Sequence, residues 1–300
     1  MKIIRTLILI LIFCSPGWAG ERHAGTVDLL IVAGQSNAVG FDTSARELPS
    51  SYLDKEVLFW WRCGAPPADN LDSTSKHQWT SLQAQPDQTQ ILSPEIKPLN
   101  RNFQSPEGGF GPEIGLARTL LRQQPGQPLA IIKIAYNGTS VTEWQRPVGK
   151  KFNCYQALVS ETKLAIREAE KKGLTMRLRA LIWVQGESDG NNLYAGQYEH
   201  NLKTMIIALR RDLNAPGLIV LLGFNTDFKA GSPAVQQVVQ AQKNLAAEHK
   251  LIAYVNSRNC AMANGVHFSS KGTMELGRLF AKKLILTEKK LKQEQVLPKK

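Results

Sequence analysis

A serine hydroxyl becomes a nucleophile when a base stands within hydrogen-bond reach, a third group orients that base, and donors await the developing oxyanion. The chain offers such a serine at Ser36, inside Gly34-Gln35-Ser36-Asn37-Ala38-Val39-Gly40, which follows directly on the apolar run Val27-Asp28-Leu29-Leu30-Ile31-Val32-Ala33. A serine at a strand-to-helix turn among small residues exposes its hydroxyl at the carboxyl edge of a sheet. Taken alone, the stretch reads better as an ordinary βα loop in which Ser36 or Asn37 caps the next helix. The leading base is His267, in Asn264-Gly265-Val266-His267-Phe268-Ser269-Ser270. His23 lies near the amino terminus, His77 in an irregular segment, and His200 and His249 within helical patterns, so they are weaker candidates. Oxyanion donors are available from the backbone N–H of Ser36, the backbone N–H of Gly138 and the side-chain amide of Gln185. Asn137-Gly138-Thr139 also fits a glycosylation sequon.

These groups need a scaffold that brings them to one edge. Apolar runs at Leu29 to Ala33, Leu129 to Ala135, Ala180 to Val184, Leu218 to Phe224 and Leu251 to Val255 read as buried parallel strands. Helical patterns lie between and after them, at Glu113 to Gln123, Tyr155 to Lys172, Tyr194 to Asp212, Ala234 to Glu248 and Ser270 to Leu286. The alternation predicts one doubly wound α/β domain, a three-layer α/β/α sandwich. Each apolar run is followed by a polar motif, including Tyr136-Asn137-Gly138-Thr139-Ser140, Gln185-Gly186-Glu187-Ser188-Asp189 and Asn225-Thr226-Asp227, as a site at the carboxyl edge requires. The proline-rich stretch from Phe41 to Phe110 interrupts the pattern. It reads as an insertion shaping the rim of the site, with a short strand at Val57 to Trp61 inside it.

Lys2 and Arg5 ahead of Leu7 to Phe13, then Gly17 and Ala19, read as an export signal, residues 1–19, cleaved after Ala19. The apolar run is far short of the roughly 20 residues that span a bilayer. The domain proper is then 20–287, followed by a basic tail, 288–300. Of 300 residues, 37 are Lys or Arg and 25 Asp or Glu; losing Lys2 and Arg5 leaves a net charge near +10. The excess is spread along the chain apart from the terminal lysines, which argues against a nucleic-acid site. Cys63, Cys154 and Cys260 allow one disulfide with a spare thiol, or three buried thiols. Five scattered histidines without an HExxH pair give no support to a catalytic metal, and no cofactor is expected.

GQSNAVG, AYNGTS with Trp144 shortly after, Trp183-Val184-Gln185-Gly186-Glu187-Ser188-Asp189 and GVHFS stand in the order of the blocks of the SGNH hydrolase superfamily. The chain resembles in particular the branch holding carbohydrate esterase family 6 acetylxylan esterases and the sialate O-acetylesterase domain, over residues 34 to 268. The resemblance implies a flavodoxin-like three-layer fold and hydrolysis of O-acetyl esters on a carbohydrate. It assigns Ser36 as nucleophile, His267 as base, Gly138 as oxyanion donor and Gln185 to the block that forms the oxyanion site. Phe110-Gly111-Pro112-Glu113 also resembles a segment of this branch, though Pro112 and Glu113 are an ordinary helix start.

One departure bears on catalysis. The superfamily usually has aspartate three residues before the histidine, where this chain has Asn264. An amide accepts a hydrogen bond from imidazole but brings no charge to stabilise imidazolium. Glu187 is the favoured replacement, since the resemblance allows a glutamate in this block to orient the histidine. Asp189 is a second carboxylate in the same block, and a Ser-His dyad supported by Asn264 is a further alternative. Loss of activity, leaving a carbohydrate-binding protein, is another. The expected substrate is acetylated xylan or its oligomers, with acetylated sialic acid as the alternative and Trp60, Trp61, Trp79 and Trp144 as candidate sugar platforms. A lipase-like activity is disfavoured, because no long acyl channel is evident.

Overall fold

The computed structural model describes residues 25–147 and 153–296. The signal segment, 1–19, therefore lies outside the described residues. In chain order the strands are β1 (Thr26–Gly34), β2 (Val57–Gly64), β3 (Ser73–Thr74), β4 (Thr80–Ser81), β5 (Leu129–Tyr136), β6 (Thr175–Val184), β7 (Ile219–Gly223) and β8 (Ile252–Tyr254). The helices are α1 (Ser36–Val39), α2 (Gln88–Leu92), α3 (Glu113–Gln123), α4 (Cys154–Glu170), α5 (Tyr198–Asp212), α6 (Pro233–Glu248) and α7 (Ser270–Val296).

The sheet runs β3-β2-β5-β1-β6-β7-β8, with β4 also paired to β2. All neighbours from β2 to β8 are parallel, while β3 and β4 add antiparallel to β2. The strand β1 is central, and its side chains alternate between two buried faces. Leu29, Ile31 and Ala33 join the core under α4, α5 and α6, whereas Leu30 and Val32 join the core under α3 and α7. A strand covered on both faces can be apolar at every position, which is why β1 and β5 read as continuous runs. From β1 the chain goes out to β2 and returns to β5 beside β1, then crosses to the other side and winds outward through β6, β7 and β8. The carboxyl end of β1 is thus the switch point at which a doubly wound sheet opens a crevice.

Three expectations need correction. The stretch after Phe41 is more than a rim, because β2 inside it is a full member of the sheet, in register with β5 from Val57↔Leu129 to Gly64↔Tyr136. Strand β6 starts five residues earlier than its apolar run; its first half is partly exposed, and Arg177 and Arg179 there pair with Asp28. The basic tail is helical as far as Val296, continuing α7. That extension is anchored where Glu288 pairs with Arg179 at 2.7 Å and Leu291 packs on the core.

Candidate active site

The nucleophile turn is built by glycine geometry. Gly34 ends β1 at φ +137°, and a Cβ there would lie 2.1 Å from the Val184 carbonyl oxygen. Gly40 closes the single turn α1 in the left-handed conformation, where a Cβ would meet the Phe110 carbonyl oxygen at 1.9 Å. Only glycine fits both places, so the two ends of GQSNAVG are fixed by backbone packing. Ser36 is the first residue of α1, and the backbone N–H groups of Ser36 and Asn37 have no acceptor among the described residues. Beneath the turn, the buried Lys133 ammonium donates to the Val39 carbonyl and Gln85 Oε1, both at 2.6 Å, and pairs with Glu113 at 3.1 Å.

His267 faces this serine. Its Nε2 lies 2.9 Å from Ser36 Oγ, and its Nδ1 lies 2.6 Å from Asp42 Oδ2. A carboxylate only accepts, so Nδ1 carries the proton and Nε2 presents its lone pair to the hydroxyl. Burial alone would raise the Asp42 pKa. Hydrogen bonds from His267 and Asn264, with the charge of the imidazole, hold it below the usual value instead. Asn264 donates to Asp42 Oδ2 at 2.6 Å, while its Oδ1 accepts from the backbone N–H of Val266 and His267. The amide is therefore a clamp on the carboxylate and on the histidine loop. The Phe41 ring packs tilted against the imidazole, centroids 5.4 Å apart.

Sequence reasoning missed Asp42. The single turn of α1 and the left-handed Gly40 fold the chain back, so that an acid six residues after the serine reaches the histidine. A signal was present: Asn264 stands where the acid is expected, and Asp42 is the carboxylate nearest Ser36 in sequence.

Glu187 is not the partner of His267 Nδ1, contrary to expectation. It is buried, and its Oε1 accepts from Asn37 Nδ2 at 2.7 Å and from the Asn225 N–H at 2.9 Å. Asn37 in turn donates to the Val266 carbonyl and accepts from the Phe268 N–H, gripping the backbone on both sides of His267. Asn225 Nδ2 makes a second bond to the Val266 carbonyl. Glu187 thus acts on the histidine through Asn37. Burial pushes its carboxyl pKa up, and hydrogen bonds from Asn225 and Asn37 oppose the shift.

Asp189 and Gln185 are likewise structural. Asp189 is buried and accepts from the Gln185 side-chain amide and from the Val141 N–H, tying the third polar block to the second. The other Gln185 amide hydrogen goes to the Thr139 carbonyl, so both are spent and Gln185 is not an oxyanion donor. Gly138 is exposed in a turn at φ +68°, and its N–H has no acceptor among the described residues. Asn137 turns its amide onto the carbonyls of Arg101 and Asn102, holding the long loop against this turn.

Burial pushes the Asp189 carboxyl up to about 6, against the hydrogen bonds from Gln185 and Val141. A folded pKa above the unfolded one contributes stability below the unfolded value, and that contribution is lost as pH rises through 6. Asp189→Asn cannot ionise. Its melting temperature relative to the parent should therefore become more favourable by a few degrees between pH 5 and pH 7.5; a difference independent of pH would refute the buried charge.

The tryptophans are not sugar platforms. Trp60, Trp61 and Trp144 are buried in the core, and Trp79 packs edge-on against Trp60 with its indole N–H on the Ala165 carbonyl. Trp60 and Trp61 sit on the inner strand β2, which is covered on both faces. Cys63, Cys154 and Cys260 are three free, buried thiols, the second of the two open alternatives. Among the described residues, no group of three or more His, Cys, Asp or Glu side chains is placed to hold a metal ion. No helix there is long and apolar enough to cross a membrane.

Comparison with known proteins bears on the fold and the family. A probable carbohydrate esterase of Arabidopsis thaliana is 25% identical over 173 residues, a match taking in 56% of this chain and 61% of that relative. The solved structure of that plant protein superimposes with a TM-score of 0.61 at 19% identity, covering 86% of this chain and 98% of the other. The structure of NanS gives 0.60 at 18% identity, covering 88% and 98%. Both likenesses are of fold. Residues 26–286 match the family described as carbohydrate esterase, sialic acid-specific acetylesterase. With nearly the whole described chain inside that match, the protein belongs to this family of carbohydrate esterases.

Proposed function

We propose that the protein is an exported O-acetylesterase that removes acetyl groups from a glycan through an acetyl-enzyme on Ser36. The observation that carries this reading is the continuous chain from Ser36 Oγ through His267 to the Asp42 carboxylate, at 2.9 and 2.6 Å. His267 Nε2 takes the hydroxyl proton as Oγ bonds to the acetyl carbonyl carbon. The imidazolium is stabilised by Asp42, which keeps its own charge. Backbone N–H groups of Ser36 and Gly138 donate to the oxyanion. His267 then returns the proton to the sugar oxygen as the ester C–O bond breaks. Water, deprotonated by the same imidazole, releases acetate and restores the serine.

The favoured substrate is an acetylated xylan oligomer. An uncharged sugar at the ester suits a triad in which, among the described residues, no lysine or arginine is bonded to Ser36, His267 or Asp42. O-acetylated sialic acid is the second reading, favoured by the description of the family. The mechanism has a direct test. An aryl organophosphonate should add one phosphonyl group to the secreted protein, whose intact mass should begin at Gly20, and the label should map to Ser36. Labelling elsewhere, or equal labelling of Ser36→Ala, would reject the acyl-enzyme.

A further inference from the structure

The polar edge that carries Ser36 continues past β6 to the ends of β7 and β8, and there the structure has an unused cavity of about 320 Å³. Its walls come from α6 between Val235 and Lys243, from the loop after β7 and from β8 with the loop that follows it. Gln236, Lys243, Tyr254, Asn256 and Arg258 line it, together with Thr226. Two features set its chemistry. No aspartate or glutamate is among its lining residues, while two cations are. Neither cation is closely neutralised: Lys243 has no ion pair among the described residues and rests 5.7 Å from the Tyr254 ring centroid, and Arg258 meets Asp227 only at 3.8 Å across an exposed surface.

A concave site with two under-compensated cations, flanking amides and an aromatic ring suits a carboxylate-bearing sugar. The cations bind the carboxylate, and the Gln236 and Asn256 amides can donate to or accept from hydroxyls. The position fits a second sugar of the same chain. The ends of β7 and β8 lie two and three strands from β1, roughly 10–14 Å along the edge at ~4.8 Å per strand. A short oligosaccharide bridges that span. The cavity is also coupled to the catalytic loop, since Thr226 follows Asn225, whose amide holds the Val266 carbonyl beside His267.

We propose that this cavity is an accessory subsite for an acidic sugar unit, a uronic acid or a sialic acid, of the glycan whose acetyl group is processed at Ser36. The inference rests on the esterase reading for its context, but its binding test does not depend on turnover. Full-length Ser36→Ala protein is titrated calorimetrically with a neutral xylo-oligosaccharide, the same oligosaccharide bearing a uronic acid, and sialyllactose. At least one acidic probe should bind about tenfold tighter than the neutral one, as expected for a charge-assisted contact. That advantage should vanish in Lys243→Gln/Arg258→Gln and fall with added salt, and the arm that binds identifies the sugar. Equal binding of acidic and neutral probes, or an advantage that survives the double substitution, would overturn the subsite. In the active chain the double variant should leave aryl acetate turnover within about twofold; a large loss there would also overturn it, by placing the pair in the catalytic machinery. Absence of aryl acetate turnover in the parent chain would count against the esterase instead, and the titration would still decide the cavity.

Discussion

Asp42→Asn should lower kcat on an aryl acetate by about four orders of magnitude while leaving the fold intact, the loss seen when a triad carboxylate becomes an isosteric amide. The cause is twofold. Asparagine can meet the imidazole with its N–H, which selects the wrong tautomer, and it offers no charge to the imidazolium. Glu187→Gln should cost about tenfold or less, because a glutamine oxygen can still accept from Asn37 and Asn225 and the grip on the Val266 and Phe268 backbone survives. Asn264→Ala should fall between them, freeing one side of Asp42 and two backbone N–H groups. Because Asn264 and Asp42 already touch, the exchange Asp42→Asn/Asn264→Asp returns a carboxylate to the histidine from the opposite partner. It should recover part of the rate lost in Asp42→Asn. Kinetics with circular dichroism as the folding control check the series; Glu187→Gln falling below Asp42→Asn would reject the assignment of the acid.

This ordering shows where the sequence is legible. Ser36 and His267 are readable because each is embedded in a local pattern: a strand, a glycine-bounded turn and a loop entering a helix. The parallel strands are readable because burial on both faces makes their central runs almost continuously apolar, with Lys133 of β5 the buried exception. Asp42 is not, since its role depends on the reversal at Gly40 and on Asn264 having a side chain that binds a carboxylate. Glu187 illustrates the converse. Its position after a central strand places it at the correct edge, yet the bond that decides its role runs to Asn37 on a neighbouring element. Strand β2 runs past its apolar stretch for a related reason: Arg62 interrupts that stretch but is accommodated by Asp72 and Glu161. The tryptophans are not legible in this respect, because composition cannot distinguish a ring facing sugar from one facing a helix.

Lys133→Met should destabilise the protein by about 3–5 kcal/mol, the usual cost of stranding one member of a buried ion pair. Lys133 and Glu113 are both fully buried, and the ammonium also satisfies Gln85 and the Val39 carbonyl. Methionine fills the volume but donates nothing, leaving a carboxylate, an amide oxygen and a carbonyl to lose partners together. At ~2–4 °C per kcal/mol for a domain of this size, the melting temperature should drop on the order of 10 °C. Adding Glu113→Gln removes the stranded charge while keeping an acceptor for the Gly111 N–H, and should recover part of the loss. If the double variant is less stable than Lys133→Met, the penalty comes from packing instead of charge. The network also lies directly under the nucleophile, for Val39 is the last residue of the turn that Ser36 begins. Lys133→Met should therefore lower kcat even at temperatures where it is folded, whereas Arg118→Met, which strands Asp54 beside the remote segment before β2, should lower the melting temperature and leave kcat near the parent value.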